Sequence, residues 1–208
     1  MRPDTGGGQR CRIIRAMPES SFQQSYLQQP LLETADWLYQ SSERLAQQLN
    51  YAALALMHTI TSGGKVLCAG EGEAAWLAQQ AATWLVRGTG RERPPLSAVA
   101  LVPPAGPMQS TLTQQVRALG HPGDVWLAFS LERDDPDLLA ATAAAAELDL
   151  TLVIFTGEAA RTLGPQLRDT DVWVPLPGTR ESTLFAIAWL ALEGLCAAVD
   201  THLLGEDA

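Results

Sequence analysis

Two short stretches of the sequence combine residue types that could bind or transform a ligand, and each follows an apolar segment. The first, GEGEA at 70–74, places glycines between a strand-like run and a helical run, an order that builds a phosphate cradle from backbone N–H groups. This stretch also carries the carboxylates of Glu71 and Glu73. The second, SLERDD at 130–135, is still more acidic. An anion would bind to the N–H and hydroxyl groups of these stretches. A cation would bind to their carboxylates, but the spacing of these carboxylates in the sequence is unusual for a metal site.

Five apolar segments predict the strands that position these two stretches. They lie at 65–70, 96–102, 124–130, 150–157 and 171–177. Helical segments alternate with them, at 73–88, 110–120, 135–148 and 179–204. This alternation predicts an α/β fold with a parallel sheet covered on both faces. Ligands of such sheets bind at the carboxyl ends of the strands, so the loops at 70–75, 130–136 and 156–164 are the candidate site.

The N-terminal region differs from the rest of the chain. Residues 18–62 predict one or two long amphipathic helices, because apolar side chains recur at three- and four-residue steps. Residues 1–17 have basic residues but no apolar run of a signal peptide, and we expect a disordered extension. The predicted organisation is one domain over 18–208, with an α/β core at 63–208.

Composition excludes several classes of function. The net charge of the 208 residues is −9, Lys65 is the one lysine, and the arginines are scattered, so direct nucleic-acid binding is not expected. The most apolar run, Thr183–Val199, contains Glu193 and Gly194, which favours a buried or interfacial helix over a membrane span. The cysteines lie far apart, which favours reduced thiols in the cytoplasm; they are Cys11, Cys68 and Cys196.

The order of these segments resembles a known family. Long N-terminal helices followed by KVLCAGEG, RERPPLSAVAL, QQVRALGHPGDVWLAFS, TLVIFTG and a long last helix are similar to the sugar isomerase (SIS) domain, over about residues 19–204. The likeness is strongest to the branch that holds the bacterial phosphoheptose (sedoheptulose 7-phosphate) isomerases and the DnaA initiator-associating proteins (DiaA). Residues 115–130 look closest to DiaA. The resemblance implies a three-layer αβα sandwich with a flavodoxin-like sheet, a homotetramer and phosphosugar pockets between subunits.

Both phosphosugar loops of the family are altered here. The family's first loop reads G-N-G-x-S, so Glu71 replaces the amide and Ala74 the serine; its second reads S-T/S-x-G-N-S, so Asp135 replaces the last serine. We therefore expect two degenerate loops. Their residues are Gly70, Glu71, Gly72, Glu73, Ala74, Ser130, Leu131, Glu132, Arg133, Asp134 and Asp135. As many as five carboxylates could face a bound dianion, and each like-charge contact at ~4–6 Å costs about 1 kcal/mol or more. The glycines could equally be kept for the turn alone.

The residues that would move a proton in the isomerases are replaced as well. The resemblance places Gln80 and Trp84 where a histidine and the catalytic glutamate would stand, and Phe185, Ala186 and Ala188 where Gln, Glu and His would stand. None of these side chains can exchange a proton or ligate a metal. We therefore expect no catalytic residue, no cofactor and no metal. The histidines are scattered, with a core position expected for His58, a local turn contact for His121 and an exposed position for His202.

These observations favour a non-catalytic, DiaA-like scaffold that binds a protein, with the replication initiator DnaA as the candidate partner. Leu203 and Leu204, an apolar pair near the end of the last helix, are the candidate docking residues, although such a pair can also simply cap a helix. Five aromatic side chains are expected either to fill the cleft beside the two acidic stretches or to pack a subunit interface of a dimer or tetramer; they are Trp37, Trp76, Trp84, Phe185 and Trp189. The alternatives are a phosphosugar-binding protein or isomerase, and a ligand-free paralogue of mixed oligomers.

Overall fold

The structure is a computed structural model that describes residues 21–90, 92–102, 111–157 and 162–205. The predicted extension at 1–17, Cys11 and the proline-rich turn at 103–107 lie outside these residues. The chain divides into two compact units, Met1–Glu33 and Thr34–Ala208. The second unit contains the whole sheet and both acidic stretches, while the single domain predicted over 18–208 stays a prediction.

The N-terminal region forms a single helix, α1 (Ser21–Thr61), which continues through Pro30. Its buried side chains repeat at helical spacing and include Leu45, Ala52, Ala53 and Leu56. Thr61 ends the helix just before Gly63, whose φ of +83° favours glycine. His58 is exposed rather than part of the core, so that prediction was wrong: it lies on the solvent side of the helix, outside the buried stripe.

The described residues contain five parallel strands that form one sheet, as predicted. They are β1 (Val66–Gly70), β2 (Ala98–Ala100), β3 (Val125–Ser130), β4 (Thr151–Thr156) and β5 (Val172–Pro175), in the order β2-β1-β3-β4-β5. The chain reverses its direction of winding beside β1, which is the flavodoxin-like arrangement. Strand β2 is much shorter than the predicted 96–102: it lies at one edge of the sheet and pairs with Val66, Leu67 and Cys68 of β1.

Helices cover both faces of the sheet and complete the three layers. After α1 come α2 (Ala75–Arg87), α3 (Leu112–Leu119), α4 (Pro136–Glu147) and α5 (Glu181–Leu204). One apolar cluster joins α1, α2 and α5 to the side chains on one face, and a second joins α3 and α4 to the other. The central strands β1 and β3 are buried along their whole length, which explains their continuous apolar sequences.

Helix α5 is the most apolar helix of the described residues. By length and composition it could cross a membrane, but half of its apolar window is buried inside the protein, as in a core helix. Its buried side includes Leu184, Ile187, Leu192 and Leu195. This matches the buried or interfacial helix predicted from Glu193 and Gly194.

A buried ion pair ties the end of α5 to the end of α2. The Nε of Arg93 donates to Oδ1 of Asp200 at 2.5 Å, and both side chains are almost fully buried. The other guanidinium nitrogens donate to the carbonyl oxygens of Trp84 and Leu85, near the end of α2. Thr89 donates its N–H and its hydroxyl to Asp200. The pair therefore caps one helix and anchors the other.

Candidate functional site

Strand register brings the two acidic stretches of the sequence together. Gly70, the last residue of β1, pairs with Phe129 of β3, so the glycine loop (residues 70–74) and the acidic loop (residues 130–135) leave the sheet side by side. The N–H of Glu71 continues the ladder by donating to the Phe129 carbonyl oxygen at 3.3 Å. The candidate site thus lies at the carboxyl edge of the sheet, where it was predicted.

The glycines of the glycine loop are required by its backbone. A Cβ on Gly70 would lie 2.4 Å from the carbonyl oxygen of Ala74, so no side chain fits where the chain turns into α2. Gly72 has φ +45°, in the left-handed region that suits glycine. Both residues are therefore explained by the turn, with or without a ligand.

The carboxylate of Glu71 reaches across to the acidic loop and accepts three hydrogen bonds there. Its Oε1 accepts the backbone N–H of Glu132 at 3.1 Å and that of Arg133 at 3.4 Å. Its Oε2 accepts the hydroxyl of Ser130 at 3.1 Å. Two loop N–H groups and a serine hydroxyl are the donors with which a loop at a strand end holds an anion. In this protein the anion that they hold is the side chain of Glu71.

Burial and hydrogen bonding act in opposite directions on Glu71. Burial is the larger effect and raises the pKa of its carboxyl above the ordinary value, while the bonds from Glu132, Arg133 and Ser130 lower it and the charge of Asp135 raises it. Of the other carboxylates in the two loops, Asp135 is the one whose charge opposes ionisation of Glu71.

Asp135 occupies a second set of donors, at the start of α4. Its Oδ1 accepts the backbone N–H groups of Asp137 at 3.0 Å and Leu138 at 2.9 Å. These N–H groups begin a helix whose first residue is Pro136, and a helix start of this kind binds anions. The sequence DPD at 135–137 contains this signal, because an Asp before a Pro commonly starts a helix. The capping role of Asp135 was not predicted from the sequence, because only its charge was considered.

The remaining carboxylates of the two loops point to different partners. Asp134 accepts hydrogen bonds from the N–H and hydroxyl of Thr162. Glu132 lies over the turn, with its Oε1 3.7 Å from where a Cβ of Gly72 would stand. Glu73 is exposed. Five carboxylates therefore surround the site, but only Glu71 and Asp135 take up the donors that an anion would use.

An open cavity of about 460 Å³ lies beside the glycine loop. It is lined by Glu73, Arg180, Glu181, Ser182 and Phe185. The cavity is not closed by the tryptophans: Trp84 is buried and meets Trp189 edge to face, with ring centroids 5.1 Å apart. Phe185 thus borders the cleft, whereas Trp84 belongs to the packing between α2 and α5.

The positions that the resemblance compares with isomerase catalytic residues carry no acid or base. Trp84 and Ala188 are buried, Ala186 is exposed, and Gln80 is half-buried on α2. Within the described ranges no group of three or more His, Cys, Asp or Glu side chains is placed to hold a metal ion. Burial raises the pKa of the Cys196 thiol to about 12, so this thiol stays protonated at neutral pH.

The candidate docking pair at the end of α5 is only partly accessible. Leu203 packs against the main apolar cluster, and Leu204 is half-buried. More exposed apolar side chains occur elsewhere, notably Trp76 on α2 and Leu190 on α5. His121 bonds locally in its turn and His202 is exposed, as the sequence predicts.

Comparison with known proteins gives the family context of this site. The sequence model of the SIS domain matches residues 31–157. A phosphoheptose isomerase of Methylibium petroleiphilum is 36% identical over 189 residues, which cover 86% of this chain and 94% of the relative. The DnaA initiator-associating protein DiaA of Salmonella paratyphi B is 34% identical over 176 residues, covering 78% and 88%. The structure of a phosphoheptose isomerase from Neisseria gonorrhoeae superimposes with a TM-score of 0.76 at 25% identity, covering 86% of this chain and 98% of that one.

Proposed function

Because the chain belongs to the SIS domain family, we propose that it carries the phosphosugar loops of that family in altered form and is a non-catalytic member that acts as a scaffold for a protein partner. The observation that carries this proposal is the position of the Glu71 carboxylate. It holds the Ser130 hydroxyl and two backbone N–H groups of the acidic loop. A phosphate group entering here would have to displace a covalently attached competitor with the same sign of charge.

The carboxylate of Glu71 is better explained as a structural anion than as a catalytic base. A raised pKa in a cleft is also typical of general acids and bases. However, both oxygens of Glu71 already accept hydrogen bonds from the neighbouring loop, whereas a base must face the proton that it removes. With Trp84, Ala186 and Ala188 at the positions compared with catalytic residues, the cleft lacks a second proton-transfer group there.

DnaA is the candidate partner, because one of the relatives is named for its association with that initiator. In this proposal Leu203 and Leu204 contribute to docking from the end of α5, which the Arg93–Asp200 pair holds in place. The acidic chain is expected to contact a protein rather than nucleic acid directly, since its net charge is −9.

Self-association is part of the same proposal. Tyr39 on α1 is 85% exposed, and the outer side of α5 carries the partly exposed Trp189 and Leu190. Exposed aromatic and aliphatic side chains on adjacent helices are typical of subunit interfaces. We therefore propose a cytoplasmic homodimer or homotetramer built on α1 and α5. Light scattering coupled to size exclusion gives the mass, and a monomer at micromolar concentration would contradict this part.

The loss of phosphosugar binding is tested by thermal unfolding with sedoheptulose 7-phosphate, alongside an isomerase assay. A ligand that binds the native state must raise its stability, so no shift and no turnover are expected. A clear shift or any turnover would support the second candidate, a phosphosugar-binding protein or phosphoheptose isomerase. That candidate is favoured by the open cavity beside Glu73 and by the isomerase names of several relatives.

The partner is tested by pull-down of the host's DnaA with the wild-type chain and the double variant Leu203→Ala/Leu204→Ala. Binding to the wild type and its loss in the double variant are expected. Leu119→Ala is the matched control, because it removes an exposed leucine from α3, outside the helices proposed for docking and self-association. Thermal unfolding checks that the double variant is folded, which matters because Leu203 packs on the core. No binding by the wild type removes DnaA as partner, and equal loss in the control removes the patch.

A further inference from the structure

A second cavity, of about 370 Å³, lies at the opposite edge of the sheet from β2, between α1 and β5. We call it the β5-edge cavity. Gln48 and Tyr51 of α1 form one wall, and Asp169, Thr170 and Trp173 form the other. None of these residues belongs to the glycine loop or the acidic loop, so the cavity is separate from the candidate site described above.

The aromatic walls of the β5-edge cavity are held in place. The indole N–H of Trp173 donates to Oγ1 of Thr156 at 2.9 Å. Gly164 lies directly against the same indole, since a Cβ there would be 2.7 Å from the ring. The hydroxyl of Tyr51 accepts a bond from Nε2 of Gln47. Yet Tyr51 and Trp173 remain 52% and 38% exposed, so two oriented aromatic side chains face accessible space.

The charge of this cavity is negative. Asp171 is neutralised, because its carboxylate binds Arg168 at 3.0 Å and accepts the N–H of Leu152. Nη2 of Arg168 also donates to the Leu150 carbonyl oxygen, and its Nη1 lies 3.9 Å from Oδ1 of Asp149. Asp169 is exposed and has no ion-pair partner among the residues that the structure describes. The carboxylate of Asp169 therefore leaves one negative charge in excess beside the aromatic walls.

Gln48 adds an acceptor to the same wall. Its Oε1 is buried and has no hydrogen-bond partner within the described part of the chain. Buried polar atoms of this kind are usually paired, so an unpaired acceptor in the wall of a cavity favours an occupant or a small movement that supplies a donor. Anions are disfavoured here by Asp169. A hard metal ion needs several oxygen ligands, and of the two carboxylates in the wall Asp171 is already paired with Arg168.

We propose that the β5-edge cavity binds an organic cation, a guanidinium or alkylammonium group, between Tyr51 and Trp173 with Asp169 as its counter-ion. Aromatic faces attract such cations, most strongly when the ring is a tryptophan, and a carboxylate at the rim fixes their position. The cation belongs either to a free polyamine or to a basic side chain of a protein. The two sources share the same recognition chemistry.

The test is an NMR titration of the full chain that follows the indole N–H signal of Trp173, assigned by its loss in Trp173→Phe. The probes are spermidine, the peptide acetyl-Gly-Arg-Gly-amide, and glutarate as an anionic control. Saturable shifts are expected with the two cations only. Asp169→Asn should weaken cation binding by about fivefold, as expected for the loss of a partly solvated charge pair. Tyr51→Leu should weaken it by about threefold or more.

Glu193→Gln is the matched control, since it removes an exposed carboxylate from α5 and should leave the affinity unchanged. Tighter binding of the peptide assigns the site to a protein side chain, and tighter binding of spermidine assigns it to a free polyamine. The proposal is overturned if neither cation saturates, if glutarate shifts the signal equally, or if Asp169→Asn binds as well as the wild type. Asp169 and Tyr51 are exposed, so both variants are expected to fold.

Discussion

Replacing Glu71 by alanine is expected to open an anion site at the carboxyl edge of the sheet. The substitution removes the carboxylate that accepts the N–H groups of Glu132 and Arg133 and the hydroxyl of Ser130. These donors would then lack their acceptor, and an incoming oxyanion is expected to replace it. Inorganic phosphate is the simplest probe, because it needs no sugar contacts.

The expected affinity follows from the number of donors. A hydrogen bond to a charged acceptor contributes about 1.5–3 kcal/mol, so three donors supply roughly 4–9 kcal/mol. Association costs about 4 kcal/mol or more, and the carboxylates of Glu132 and Asp135 oppose the anion. The net result is a dissociation constant in the millimolar range, which corresponds to about −4 kcal/mol.

The assay is thermal unfolding with increasing phosphate at constant ionic strength. At ten times the dissociation constant, binding stabilises the native state by about 1.4 kcal/mol. For a chain of this size such a gain raises Tm by about 3–5 °C. Each variant is compared with itself in chloride, so any cost of the substitution to the fold cancels.

Glu71→Gln is the control, because glutamine keeps the volume of the side chain and one acceptor oxygen. Its amide nitrogen can donate to Ser130, whose hydroxyl already lies 3.3 Å from the carbonyl oxygen of Arg133. The glutamine variant and the wild type should therefore show no shift with phosphate. Equal shifts in the wild type and in Glu71→Ala would refute the claim that Glu71 occupies the anion's place. A shift in none of the three would refute the claim that these donors form an anion site.

Three further predictions concern stability. Burial raises the pKa of Glu71 in the folded state above its unfolded value, so the protonated carboxyl favours folding at acidic pH and this contribution is lost as the pH rises. Glu71→Gln, which stays uncharged, should therefore be more stable than the wild type in urea at pH 7, and the difference in the free energy of unfolding should shrink towards pH 4. Asp200→Asn leaves Arg93 buried without its counter-charge and should lower the free energy of unfolding, measured in urea, by about 3–5 kcal/mol. Replacing Arg93 and Asp200 together by apolar residues should restore part of this loss. Gly70→Ala should destabilise by about 1–3 kcal/mol, because its Cβ meets backbone, whereas Gly194→Ala on the open side of α5 should be neutral or stabilising in the same measurement.

The parallel sheet was predictable because β1, β3 and β4 are buried on both faces and therefore read as apolar runs between helices. The exception, β2, shows the limit of such patterns. Its apolar run is longer than the strand, which pairs with three of the five residues of β1. His58 shows a second limit. Successive residues of a helix point about 100° apart, so an assignment that is wrong by one position moves a side chain from the core to the solvent side, where His58 lies.

The acidic character of the two loops was also predictable, but not the partners of their carboxylates. The sequence shows charges that would repel a dianion. It does not show that Glu71 meets Ser130, because that contact depends on the register of Gly70 with Phe129 between two strands far apart in the chain. Local capping is easier to read, since Asp135 and the N–H groups that it accepts lie within three residues.

The partners of these carboxylates also bear on the proposal of a scaffold. If the carboxylates only repelled anions, the N–H groups of the acidic loop would have no acceptor except water. A bound ligand would then be needed to order the loop. Glu71 instead supplies an acceptor that is attached to β1, so it loses no translational freedom on binding and is present at every moment. Asp135 does the same for the start of α4. These N–H groups at the carboxyl edge of the sheet therefore have acceptors within the chain itself, as the proposed scaffold requires if it is to present the same surface to a partner at any ligand concentration.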